Sequence, residues 1–474
     1  MSEVLSPDTQ SADADSRTDR NAVALPPPAV PHPYLPATDD DAAAMLAEIG
    51  VESLEDLLTQ IPADVRLQRP LNMPLAVTEM ELERHVAAIA RKNVAAGDRV
   101  CLTGGGAYDH FIPAVVDEIA GRGEWYTAYT PYQAEASQGT LQAIFEFQTM
   151  ISMLTGMEVA NASLYEAATG VVEAVLMAMR VTRRSSRVIV AGDINPQYLD
   201  TLRTYMTPMA CELVLIESVD GRVDPAAVRD AVDEHTSAVV FQSPNFLGGL
   251  EAVADLAEAA HSGGALSVAV VNPISLGVVK RPGDCDVDIC IAEGQPLGNP
   301  LNFGGPYLGI FACREKYVRT MPGRLVSRTT DRDGRDCFVL GLQTREQHIR
   351  RDKATSNICS NQGLMALRAT VFLALHGPHG LREMAERSCK LAHQAAEKLT
   401  ENTGLSLLSA VPFFNEFVLV GDDLDGVQKK ARDAGFDLGP RLKDFGCEQD
   451  GLLVAVTERR TEEEIERLAA ALQE

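Results

Sequence analysis

Positive charge, aromatic side chains and lysine are all scarce in this chain. Its 474 residues carry 42 Lys+Arg against 67 Asp+Glu, a formal net charge of -25. A phosphate backbone or an anionic lipid surface is repelled by most of such a surface, so neither nucleic acid nor membrane is an expected partner. Nine of the basic residues are lysines, at 92, 280, 316, 353, 390, 398, 429, 430 and 443, and any chemistry that needs an amine must use one of them. The nine cysteines include no Cys-x-x-Cys pair, which argues against a disulfide framework or a zinc knuckle. There is no basic start followed by an apolar run, and no stretch of about eighteen uninterrupted apolar residues. A reduced, cytoplasmic protein is the expectation. What remains, 46% hydrophobic and 23% charged residues, is the balance of a soluble globular chain with material for two or three cores.

Four regions are expected. Residues 1–33 hold Ser, Asp, Thr and Arg, then Pro26, Pro27, Pro28, Pro31 and Pro33, a composition that buries too little apolar surface to offset chain entropy. Residues 34–95 read as a helical arm: one helix from Asp39 ends at Gly50, a second runs from Ser53 to before Pro62, and a third spans about 79–93. Within 96–360, β-branched runs at 187–191, 212–216, 238–241, 266–271 and 287–291 alternate with helical patterns near 196–207, 224–234 and 250–262. That rhythm predicts an α/β domain with a mostly parallel sheet covered on both faces and a ligand at the carboxyl ends of the strands. Leu308–Cys313 is expected to close an edge, and 324–336 reads as a loop rich in Arg and Asp. Residues 361–474 read as a linking helix from near Asn361, broken at Gly377-Pro378, and a small α/β domain with strands at 414–420 and 451–456.

Candidate chemistry is sparse. Gly104-Gly-Gly106 lacks the Lys-Ser/Thr of a Walker loop and is not GxGxxG, so a tight turn explains it equally well. Asn161–Gly170 opens a helix whose small residues leave N–H groups available to an anion, although ordinary helix entries look the same. A pyridoxal phosphate enzyme of the aminotransferase-like fold keeps its phosphate at such a helix start. It also demands a carboxylate at the end of one strand, for the pyridine nitrogen, and a lysine at the end of a later one. Here the first strand ends in Asn272, and Gln295 stands where the lysine is wanted. An amide forms no imine, and Asn272 supplies no fixed charge. Lys280, Lys316 and Lys353 read as surface residues. His376 and His379 are separated by Gly377-Pro378, with no third ligand near, so no metal site is expected. Trp125, Tyr126, Tyr129, Tyr132 and Gln133 lie in a segment too polar and too broken by Pro131 for a core strand, so a loop facing a ligand or a partner competes with core packing.

Three blocks carry a resemblance: Tyr129–Gly139, Glu293–Gly309 and Thr344–Cys359. Together they closely resemble the glycine decarboxylase P-protein family of the glycine cleavage system, in its first-half, subunit 1 form, from about residue 34 to the C-terminus. The resemblance implies a fold type I, aminotransferase-like large domain with a seven-stranded type of sheet. It implies a partner, subunit 2, whose His-Lys-Thr lysine holds pyridoxal phosphate. That motif falls on Gly294-Gln295-Pro296 here, so this chain resembles the copy that binds no cofactor covalently. The implied reaction decarboxylates glycine and passes the aminomethyl group to the lipoyl arm of H-protein, within an assembly of two copies of each subunit. By motif position, Tyr129, Tyr132 and Gln133, with Thr355, Ser356 and Asn357, are the candidates for the wall of the partner's cleft. The helices of 34–95 either clasp the partner or pack on their own subunit. Two rival readings stand beside this one: an independently active pyridoxal phosphate lyase, and a non-catalytic scaffold or regulator.

Overall fold

The computed structural model describes residues 36–473 apart from 68, 70, 75, 96, 360 and 361. The expectations for 1–33 and for Asn361 fall outside the described residues. The chain forms two compact units, divided after Ala90. In the first unit, helices Asp39–Ile49 and Glu79–Ala90 flank a short 3-10 helix, Leu54–Leu58. Thr38 caps the first helix through a reciprocal bond with Asp41, and Gly50 ends it at φ 84°, the left-handed stop expected of a glycine. None of the described residues of 36–90 is buried.

In the second unit the strands are, in chain order, β1 Val100–Thr103, β2 Val159–Ala160, β3 Arg187–Ala191, β4 Glu212–Ile216, β5 Thr236–Ser243, β6 Leu266–Val271, β7 Ile289–Glu293, β8 Gly309–Cys313, β9 Leu325–Thr330, β10 Asp336–Gly341, β11 Ser406–Leu407, β12 Glu416–Val420, β13 Phe436–Gly439 and β14 Leu452–Ala455. Seven of them form one sheet in the order β2-β8-β7-β6-β5-β3-β4. The pairs from β7 through β6, β5 and β3 to β4 are parallel, and β8 is antiparallel to both neighbours. Both faces of the sheet are covered. Ile189, Val239, Phe241 and Ala269 face one core, while their chain neighbours Val188, Val190, Val240 and Val268 face the other, as period-two alternation requires. The helix Ala167–Thr182 buries most of its residues. At Gly170 an added Cβ would lie 3.0 Å from Ile291 Cγ2, so glycine lets this helix lie close on β7.

Several sequence expectations need correction. β8 does not close the edge, because the two-residue β2 lies outside it. The Arg/Asp-rich segment 324–336 is a hairpin, β9 and β10 in antiparallel register from Leu325↔Gly341 to Thr330↔Asp336, whose polar residues occupy its exposed end. The break expected at Gly377-Pro378 is present: φ 58°, ψ -172° at Gly377 separates two helical segments within Gly363–Thr400. The smaller sheet has five strands rather than two, ordered β11-β12-β14-β1-β13. β1 belongs to it although the sequence places 96–360 in the large domain, because Val100–Thr103 pairs in parallel with Phe436–Gly439. The segment after β1 therefore runs from the small sheet to the carboxyl ends of the large one.

Candidate active-site wall and a filled cofactor position

The segment after β1 delivers Tyr108 to the ends of β6 and β7. There Gln295, 2% exposed, accepts from the Tyr108 N–H at 2.8 Å and donates through Nε2 to the carbonyls of Tyr108 at 3.1 Å and Asn299 at 2.8 Å. Its amide is consumed in holding the backbone together. Glu293, the last residue of β7, accepts N–H bonds from Ala167 at 3.2 Å, Gln295 at 3.0 Å and Leu308 at 3.1 Å. Burial pushes this carboxyl up to about 8 against the pull of those three bonds.

Ala167 is the first residue of the helix whose start the sequence offers to an anion. That start holds carboxylates of the chain itself. Glu293 takes the Ala167 N–H, and Glu166 takes the Thr169 N–H at 2.9 Å and hydroxyl at 2.6 Å. Gly104-Gly-Gly106 has a similar fate. The Gly105 N–H donates to Glu416 at 2.6 Å, and the Tyr108 hydroxyl donates to the other oxygen of Glu416 at 2.7 Å. A Cβ at Gly104 would lie 1.9 Å from a Glu416 oxygen, so the close approach of the loop to this carboxyl requires glycine there. Burial pushes Glu416 up to about 7. The buried Tyr198 phenol is raised by burial and then by the nearby charges of Glu293, Glu166 and Glu416.

These residues do not fit pyridoxal phosphate. Glu293 and Glu166 take the N–H groups of the helix start where a phosphate needs donors and positive charge, and Glu416 takes the N–H of the glycine loop. The amide of Gln295 offers no imine-forming nitrogen. Asn272 accepts from the Ile274 N–H at 2.9 Å, and its buried amide nitrogen has no partner, so no carboxylate marks the end of β6. Lys280, Lys316 and Lys353 are exposed, and Lys316 pairs with Asp288 at the amino end of β7.

The wall candidates gather elsewhere. Tyr132, Thr355, Ser356 and Asn357 line one polar cavity of about 300 Å³ together with Arg324, Arg345, Glu346, His348 and Cys359. Arg324 donates to the Tyr132 hydroxyl at 2.8 Å and pairs with Glu346. Its guanidinium also lies 4.9 Å from the centre of the Tyr132 ring, a cation–π distance, and His348 packs edge-on against that ring at 5.4 Å. Arg345, 9% exposed, spans the carbonyls of Met321 and Gly323, and its carbonyl accepts from the Thr355 N–H at 3.0 Å. One guanidinium, that of Arg324, thus meets the Glu346 carboxylate, while that of Arg345 is held by backbone carbonyls, in a cavity rich in hydroxyls.

Tyr129 lines a second, apolar cavity, with its hydroxyl 3.3 Å from the Cys359 sulfur. Gln133 is exposed and lines neither. His376 bonds the Phe372 carbonyl of its own helix at 2.9 Å, and among the described residues there is no cluster of potential metal ligands. Sequence reasoning missed Arg324, Arg345 and Glu346. The last two lie inside the block Thr344–Cys359, whereas Arg324 sits at the mouth of a hairpin that reads as a loop. Glu416, and Glu293 in its bond to Ala167, were missed because they are distant in sequence from what they serve, whereas Glu166, three residues from Thr169, is a local helix cap that the sequence signals only as an ordinary helix entry.

Comparison with known proteins places this geometry in context. Residues 32–472 match the family described as "Glycine cleavage system P-protein". The chain is 47% identical over 446 residues to a "Probable glycine dehydrogenase (decarboxylating) subunit 1" of Desulfitobacterium hafniense, covering 93% of this chain and 99% of that one. It is 49% identical over 442 residues to the protein of the same description from Prosthecochloris aestuarii, covering 92% and 98%. Among solved structures it resembles glycine decarboxylase (P-protein) of the glycine cleavage system in inhibitor-bound form, with TM-score 0.86, 43% identity, and coverage of 93% and 99%. A sphingosine-1-phosphate lyase of Burkholderia pseudomallei, at TM-score 0.63 and 16% identity over 87% of this chain and 94% of that one, shares the fold.

Proposed function

The chain belongs to the glycine cleavage system P-protein family, and from that premise we propose that it is the subunit of glycine decarboxylase that holds no cofactor and completes the cleft of a pyridoxal phosphate-bearing second subunit. One observation carries this reading. Gln295, which the family resemblance sets where a Schiff-base lysine is wanted, is an amide bonded on both its oxygen and its nitrogen, beside a helix start whose N–H groups go to Glu293 and Glu166. The chemistry that the bound cofactor supplies, stabilisation of the carbanion left by decarboxylation, then belongs to the partner. The contribution of this chain is a wall: Tyr129, Tyr132, Thr355, Ser356 and Asn357 around the Arg324–Glu346 pair. Gln133, exposed and outside both cavities, is the weakest member of the set.

The name borne by the relatives, subunit 1, implies a second subunit. The first unit of the chain offers a surface for one. Taken by itself, that unit leaves large apolar side chains, among them Ile49, Leu54, Leu71, Met80 and Val86, about half exposed or more, an apolar surface suited to packing on the second subunit or on the rest of its own chain. A heterotetramer of two copies of each subunit, with a lipoyl H-protein as acceptor, completes the reading. Membrane attachment through a spanning helix has no support, since among the described residues no helix is long and apolar enough to cross a bilayer.

Alanine at Tyr129 and at Tyr132 tests the reading. In the assembled complex, exchange of the glycine carboxyl with labelled bicarbonate is expected to fall at least tenfold for Tyr132→Ala, which loses the ring held by Arg324 and His348, and less for Tyr129→Ala. Unchanged exchange in both variants would leave this chain a scaffold.

A further inference from the structure

The apolar cavity that Tyr129 lines adjoins the polar cavity assigned above to the cleft wall, and the ligand inferred for it rests on that reading of the wall. The apolar cavity measures about 260 Å³ and is walled by Trp125, Tyr126, Ile144, Phe147, Val326 and Leu367. Cavities that bind drug-sized ligands begin at roughly 300 Å³, and an engineered apolar cavity of about 150 Å³ accepts benzene. Space of intermediate size fits a single ring or a short aliphatic chain. Two features distinguish it from a packing defect. Ser163, 1% exposed, belongs to its wall with a buried hydroxyl that has no hydrogen-bond partner, a cost that a ligand atom would relieve. Arg324 lines both this cavity and the polar one beside it.

We propose that the two cavities form one binding site for a small carboxylate with an apolar body. The body lies among Trp125, Ile144, Phe147 and Leu367, and the carboxylate lies on the polar side, where Arg324 and Arg345 outnumber Glu346. Charge selects the head group. Arg324 already donates to Glu346 and Tyr132, and Arg345 to the carbonyls of Met321 and Gly323. The excess positive charge, rather than a free fork of donors, therefore selects an anionic head, and the Thr355 hydroxyl adds a neutral donor. A cationic head would meet two like charges. An uncharged apolar molecule would fill only one compartment.

Trp125 is the one tryptophan in the chain, so its fluorescence reports on this wall directly once a partner preparation free of tryptophan, or the isolated chain as a parallel sample, removes other emitters. The probes are octanoate, octylamine and acetate, titrated against the full-length chain alone and in complex. Octanoate is expected to give a saturable change in Trp125 emission, with octylamine and acetate at least tenfold weaker. Ala143→Phe, which fills the cavity from its wall, is expected to abolish the octanoate response, and Ala143→Ser to retain it. Equal responses to octanoate and octylamine, or an octanoate response that survives Ala143→Phe in a cooperatively melting chain, would overturn the proposal. So would no saturable response to octanoate in either sample. None of these readings depends on exchange activity, so failure here is distinct from failure of the subunit assignment.

Discussion

Replacing Gln295 with lysine is expected to destabilise the chain by about 2–4 kcal/mol without creating a cofactor site. The Tyr108 N–H loses its acceptor, because an ammonium only donates. The new charge is buried at a position 2% exposed in the native chain, with the carboxyl of Glu293 as its neighbour. The amine that an imine requires would then be present. The phosphate would still meet Glu293 on the Ala167 N–H and Glu166 on Thr169, at the helix start where it needs free donors. Thermal melts and absorbance with pyridoxal phosphate check both halves of the statement: a lowered melting temperature and no imine band. An imine band whose reduction labels residue 295 would show that one substitution had emptied the site, and that the carboxylates are not the barrier assigned to them.

The second large effect is expected at Arg324. Its side chain and that of Glu346 are 12% and 10% exposed, and one Glu346 oxygen already lacks a partner. Arg324→Met leaves that carboxylate with Arg345 and His348 and removes the donor that orients Tyr132. Breaking a largely buried pair from one side costs about 3–5 kcal/mol, and exchange by the complex is expected to fall on the order of a hundredfold, the scale of a misplaced positioning group. The double variant Arg324→Met/Glu346→Gln separates the two consequences. Removing the orphaned charge should recover most of the stability, whereas exchange should remain low because Tyr132 is still unheld. Recovery of both together would mean that the pair serves folding alone.

Much of this architecture was legible in the sequence, for identifiable reasons. The strands buried on both faces read as β-branched runs separated by helices, and that pattern alone implies a parallel sheet with its ligand end at Asn272 and Gln295. Both demands of the aldehyde cofactor could be checked by residue type, without coordinates. What escaped was set by long-range pairing. β1 belongs with Phe436–Gly439 across more than three hundred residues, and nothing within Val100–Thr103 announces it. The hairpin of β9 and β10 presents polar residues at an exposed end, where strand and loop compositions coincide. The carboxylate filling is likewise a matter of distance in sequence: Glu416 meets Gly105 and Tyr108 from the small sheet, and Glu293 meets Ala167 from the neighbouring strand.

The central claim is that this chain is the cofactor-free half of a glycine decarboxylase, and one labelling experiment tests it. The full-length chain is reduced with borohydride in the presence of pyridoxal phosphate, alone and with its second subunit, and every lysine-containing peptide is mapped. The account predicts pyridoxyl-lysine on the second subunit only, with glycine-carboxyl exchange appearing only when the two are mixed. A specific pyridoxyl-lysine in this chain, whose replacement abolishes exchange, would contradict it.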